Sequence, residues 1–164
     1  MSFQKSMNIN PPLGIVGAWA SIGVSHTALA GALQFVAAPA GVVIARFAWA
    51  DTVGGTVQNA KPADTKNWVL GFLERDSNIA VITDWQGQAS MTIPSGLPVS
   101  VYDRGDFFAV ATTVATAGQK VFANDTTGLL ATGGAGFAVA GHTETNFTVA
   151  KSGAVGAVIK ITAQ

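Results

Sequence analysis

Two histidines, His26 and His142, are the side chains best suited to metal or proton chemistry, and they stand far apart in Gly/Ala-rich surroundings. His142-Thr143-Glu144 offers a single ligand pair, short of the three or four donors that a zinc site requires. Asp103-Arg104-Gly105-Asp106 brings two carboxylates and a guanidinium into one short stretch. A calcium loop needs oxygen ligands at alternating positions over a longer span, and that spacing is missing. The stretch reads instead as a tight, hairpin-like turn with a local Arg–Asp pair. Its Arg-Gly-Asp tripeptide is too short to carry an adhesion argument.

Gly133-Gly134-Ala135-Gly136 lacks the Lys-Ser/Thr that a phosphate loop places after its glycines. There is no Gly-x-Ser-x-Gly elbow and no cysteine, so disulfides and thiolate metal sites are excluded. Acid/base or nucleophilic catalysis has no constellation to stand on. The expectation is a non-enzyme with no cofactor and no metal. The triplets Asn124-Asp125-Thr126 and Asn146-Phe147-Thr148 read as turn and strand chemistry, with no secretory segment to make them glycan acceptors.

Aromatic residues are the remaining candidates. Trp19, Trp49, Trp68 and Trp85 are the four tryptophans. In a small β-rich chain most tryptophans anchor a core or an interface. Trp85, in Asp84-Trp85-Gln86-Gly87, is placed by the turn signal where it can be presented to a partner. It is read as an interface anchor first and a sugar platform second.

Composition sets the frame for these residues. The 164-residue chain is 49 % hydrophobic and 11 % charged, with a formal net charge of zero. A typical soluble protein is about 25 % charged. Weak self-repulsion favours association with other protein. No window approaches the roughly 20 uninterrupted apolar residues of a membrane helix. No Lys/Arg cluster offers a footprint for nucleic acid. Neither a membrane nor a nucleic acid is an expected partner.

The pattern along the chain predicts an all-β fold: one β-barrel or β-sandwich domain, jelly-roll-like or similar, with an extended N-terminal arm. Residues 1–41 form the arm and residues 42–164 the body. Residues 6–45 contain no Asp, Glu, Lys or Arg, and Asn10-Pro11-Pro12-Leu13 favours extended backbone. Ala and Leu favour a short helix over residues 27–35. Val42, Ile44, Arg46 and Ala48 alternate with Val43, Ala45, Phe47 and Trp49, the period of one pleated strand. Thr56-Val57-Gln58 should pair back on it. Further strands are expected at residues 68–74, 78–83, 89–93, 99–102, 107–114, 119–123, 146–150 and 154–162, with Gly153 and Gly156 allowing a bulge in the last. Gly, Pro and Asp turns separate them, as in a sandwich or barrel.

An exposed arm bearing Ile9, Leu13, Ile15 and Trp19 would be an aggregation liability, so it must lie on its own domain or on a neighbour.

Several segments, in order, resemble bacteriophage structural cement (capsid decoration) proteins. They are Asn8-Ile9-Asn10-Pro11-Pro12-Leu13-Gly14; Ala38-Pro39-Ala40-Gly41-Val42 running into Arg46-Phe47-Ala48-Trp49-Ala50-Asp51; and Gly55-Thr56-Val57-Gln58-Asn59. Gly71-Phe72-Leu73-Glu74-Arg75 and Ala89-Ser90-Met91-Thr92-Ile93-Pro94-Ser95-Gly96-Leu97-Pro98-Val99 follow. Gly105-Asp106-Phe107-Phe108 and Gly118-Gln119-Lys120-Val121-Phe122-Ala123-Asn124 complete the set, so that the likeness covers residues 7–128.

The resemblance implies a structural virion protein on the outer surface of the assembled head, made in the host cytoplasm and cementing adjacent major capsid proteins. It also implies a homo-oligomer, trimer or dimer. The residues expected at the contact are Ile9, Pro11, Pro12, Leu13, Ile15, Trp19 and Trp85. The competing expectation is an outward-facing carbohydrate or host-attachment module built on Trp85, Trp68 and the loop carboxylates.

Overall fold

The computed structural model describes residues 14–21, 23, 25–28, 34–75 and 90–164. The fold among them is all-β, as the turn spacing predicts, and contains no helix. The strands are β1 (His26–Thr27), β2 (Val36–Ala37), β3 (Val42–Val43), β4 (Phe47–Asp51), β5 (Thr56–Gln58) and β6 (Trp68–Leu73). They continue with β7 (Thr92–Ile93), β8 (Val101–Val110), β9 (Lys120–Asn124), β10 (Leu130–Gly133), β11 (His142–Lys151) and β12 (Val158–Ala163).

One large sheet runs in the order β10-β9-β11-β12-β8-β6-β4-β5-β2, with β1 also paired to β8 and a separate β3-β7 ribbon. Strand β8 joins two halves. Its first residues pair with β6 through Phe72–Tyr102, and residues 105–110 pair with β12. Tyr102 and Phe107 have opposite strand parity, yet their rings lie 5.6 Å apart against the same core. The strand must therefore turn over between them. Gly105 allows it, with a φ of 134° that a side chain would resist. On the far side the sheet curls until β10 returns to the end of β8: Leu130 bridges Ala111, and the Thr112 amide donates to the Leu130 carbonyl at 2.8 Å.

Two cores result. Phe47, Phe72, Phe107 and Phe147, from β4, β6, β8 and β11, meet at the centre of the first. Their ring centroids lie 4.9–6.4 Å apart, within the range of tilted and edge-to-face pairs. Burying each contributes about 2–3 kcal/mol. The second core lies on the opposite face of β4, where Ala48 and Ala50 meet Phe35, Val42, Val57 and Val101. Strand β4 is covered on both faces, which is why its sequence, FAWA, is apolar throughout instead of alternating. Phe35 and Ala37, from the charge-free N-terminal stretch, belong to this second core, and β2 adds to β5 in parallel.

The structure corrects several expectations. Residues 42–49 are not one strand: Ala45, at φ 60°, breaks the run into β3 and β4, and the Asn59 side chain holds the break from both sides. Asp103-Arg104-Gly105-Asp106 is not a turn but the middle of β8. Its polar side chains are satisfied from afar, with His26 Nδ1 2.6 Å from Asp103 Oδ1 and the Ser21 hydroxyl donating to Asp106. No Arg104–Asp pair occurs among the described residues, and Arg104 is exposed.

Residues 154–157 are a turn, with the Ala157 amide on the Ala154 carbonyl at 3.0 Å, so the last strand starts at Val158. Thr27 is in a strand and Gln34 and Phe35 are not helical, against the helix expected over residues 27–35, whose middle (residues 29–33) lies outside the described residues. The strand expected over residues 78–83 also lies outside them. Thr56-Val57-Gln58 does pair back on β4.

Candidate functional site

Residues 17–21 and 26–28 run beside β8 and bring Trp19, one of the expected contact residues, onto it. Gly17 donates to the Phe108 carbonyl at 2.7 Å and accepts from the Arg75 amide at 2.8 Å. The Ala20 amide donates to Asp106 at 2.8 Å, and the Phe108 amide to Ala18 at 2.9 Å. Trp19 bridges Phe107 in an antiparallel pair. This pairing satisfies backbone groups that an unbound arm would have to leave to water.

Two of the seven expected contact residues are described, and they differ. Ile15 is 62 % exposed. Trp19 is half-buried, its ring 4.4 Å from that of Phe107 and edge-on to Tyr102 at 4.9 Å. Its Nε1–H donates to Glu74 Oε1 at 2.5 Å. Within the chain, Trp19 fastens the segment to the body, while Ile15 presents apolar surface. Ile9, Pro11, Pro12, Leu13 and Trp85 lie outside the described residues. Trp68 is half-buried against the first core and Trp49 is buried within it.

Three of the other exposed apolar side chains sit on loops of the curled half. Val114, Phe137 and Val155 are 61–72 % exposed. Their segments, residues 111–119, 126–141 and 152–159, carry no charged residue. Sequence reading missed these three. The absence of charge over three separate segments was the available signal, but Val114 and Val155 were expected inside strands and only the structure places them on loops.

Arg46 was also missed as a candidate. It is half-buried between the residue 38–43 connection and the residue 124–128 turn, with Nη1 3.4 Å from the Thr127 carbonyl. In sequence it is the first charge after the neutral stretch of residues 6–45.

His142 Nδ1 lies 2.8 Å from the Ala140 carbonyl, and the Glu144 carboxylate accepts from the Gly136 amide at 3.1 Å, so the two do not converge. No group of three or more His, Asp or Glu side chains could hold a metal among the described residues. Asn124, from the first N-x-Thr triplet, caps its own turn by accepting from the Thr126 and Thr127 amides at 3.0 Å, while Asn146 lies in β11.

The family model for the XM1 gp53 minor capsid protein matches residues 3–163. No curated protein matches the chain. Among solved structures, a chain in "The capsid of Myoviridae Phage XM1" is similar with a TM-score of 0.56 and 13 % identity. That likeness covers 99 % of this chain and 97 % of that one, and at such identity it speaks for a shared fold.

Proposed function

The chain belongs to the XM1 gp53 minor capsid protein family, and from that premise we propose that it cements the phage head. In this reading it binds the outer surface of the assembled shell and bridges adjacent major capsid proteins. The family is one of capsid structural proteins, in agreement with the reading of the chain as a non-enzyme. The observation that carries the proposal is the extent of the match, residues 3–163, which takes in both cores and both ends of the sheet.

The physical features of the surface support it. A chain with 11 % charged residues and zero net charge lacks the repulsion that keeps free proteins apart. It also exposes apolar side chains on the N-terminal segment and on the loops. One standard interface buries roughly 1,600 Å² in total. Where a trimer or dimer of the chain grips one lattice, later contacts are intramolecular and modest affinities multiply. The start of the residue 1–41 arm does the gripping, while its later residues Phe35 and Ala37 are built into the second core of the residue 42–164 body. Ile9, Pro11, Pro12, Leu13 and Ile15 meet the major capsid protein, Trp19 holds their segment to the body, and Trp85 makes a second contact.

The test is co-sedimentation with expanded heads lacking the protein. Full-length chain should pellet with heads, whereas a chain lacking residues 1–13 should keep its β-sheet circular dichroism and stay in the supernatant. Full occupancy by the truncated chain would sink the arm assignment. Failure of the full-length chain to bind heads would sink the cementing role itself.

A further inference from the structure

Arg46 is held rigidly by its backbone and loosely by its side chain. The Leu73 amide donates to its carbonyl at 2.9 Å, and Ala45 before it is locked in the left-handed region. Asn59, with hydrogen bonds to Val43 and Phe47, braces the same bend. The guanidinium makes one long contact, 3.4 Å to the Thr127 carbonyl, and no ion pair among the described residues. The carboxylate on the adjacent turn, Asp125, is already engaged by Thr143 Oγ1 at 2.6 Å and Lys61 at 3.8 Å.

Arg46 also divides two clefts. One, of about 530 Å³, is lined by Pro39, Gln58 and Thr126; the other, of about 210 Å³, by Ile44, Met91 and Leu129. Among the described residues, neither lining includes a carboxylate. A guanidinium partly withdrawn from water without a counterion costs free energy, and its planar fork matches a carboxylate in bidentate geometry.

We propose that the Arg46 clefts are a docking site for an acidic, extended segment of a neighbouring capsid subunit. An Asp or Glu carboxylate of that segment forks onto Arg46. Its flanking polar groups meet Gln58 and Thr126, and its apolar side chain sits over Ile44 and Leu129. The charge complementarity selects the partner: among the described residues the lining supplies one cation and otherwise neutral amide, hydroxyl and apolar groups. The inference rests on the capsid-binding reading above and adds the chemistry of one contact.

The experiment uses the full chain and heads lacking it. Arg46→Gln should weaken head binding at least about 30-fold, the usual consequence of removing one partner of a desolvated pair, and Arg46→Lys should weaken it less. Phenylglyoxal footprinting of the wild-type chain needs no variant to fold: Arg46 should be labelled in the free protein and protected on heads, with exposed Arg104 as reference. Wild type and Arg46→Gln binding equally, with Arg46 labelled equally in both states, would overturn this site and leave the cementing role standing. Wild type failing to bind heads would overturn both.

Discussion

The Phe47 amide donates to the Gly128 carbonyl at 2.9 Å, and the Cα of Gly128 is pressed so closely on the Phe47 carbonyl that a Cβ would overlap its oxygen. Gly128 has a φ of 67°, so a side chain there is opposed by its own backbone as well as by β4. This contact sets the residue 124–128 turn against the strand that both cores share. Gly128→Ala is expected to destabilise the chain by at least about 2 kcal/mol. A urea unfolding midpoint unchanged from wild type would refute it.

The sequence makes single strands and their partners legible where local signals suffice. Thr56-Val57-Gln58 follows a turn and pairs back on β4, and Trp68–Leu73 is a strand as its apolar run implies. What escapes is set by contacts from far along the chain. Asp103 and Asp106 look like turn residues because their partners, His26 and Ser21, stand 77 and 85 positions away. The alternation through residues 42–49 cannot show that Ala45 adopts positive φ. At the candidate site, the neutral stretch marks Ile15 as surface to be covered. The role of Trp19 as a fastener, and the Arg46 clefts, appear only when β6, β8 and the residue 124–128 turn are brought together.

Asn59 is the brace of the β3–β4 break. Its Oδ1 accepts from the Val43 amide at 2.7 Å, and its Nδ2 donates to the Val43 and Phe47 carbonyls at 3.1 and 3.0 Å. Asn59→Ala should cost about 2 kcal/mol, since water reaches this half-buried site and replaces part of the loss. Hydrogen exchange at the Val43 amide should accelerate in step with that loss. An exchange rate equal to wild type would show that the break holds without the brace.

Thr145 is the one buried polar side chain among the described residues. It lies where β11 slips register against β9, and its hydroxyl does the work of missing ladder bonds. Oγ1 donates to the Val121 carbonyl at 2.8 Å and accepts from the Phe147 amide at 3.1 Å. Thr145→Val keeps the shape and removes both bonds, leaving a buried donor and acceptor with less to satisfy them. A loss of about 1–3 kcal/mol is expected. Thermal denaturation indistinguishable from wild type would mean that the irregularity re-forms its bonds by itself.

Ile15 and Trp19 separate gripping from fastening. Trp19 packs on Phe107 and Tyr102 and donates to Glu74, so Trp19→Ala should lose about 2–3 kcal/mol of stability and head binding with it. Ile15, at 62 % exposure, has little to lose in the free chain. Ile15→Ser should leave stability within about 0.5 kcal/mol of wild type while lowering occupancy on heads. Calorimetry and co-sedimentation on both variants distinguish the roles. If Ile15→Ser bound heads as wild type does, the apolar contact would have to lie elsewhere, with the exposed loop residues Val114, Phe137 and Val155 next to be tested.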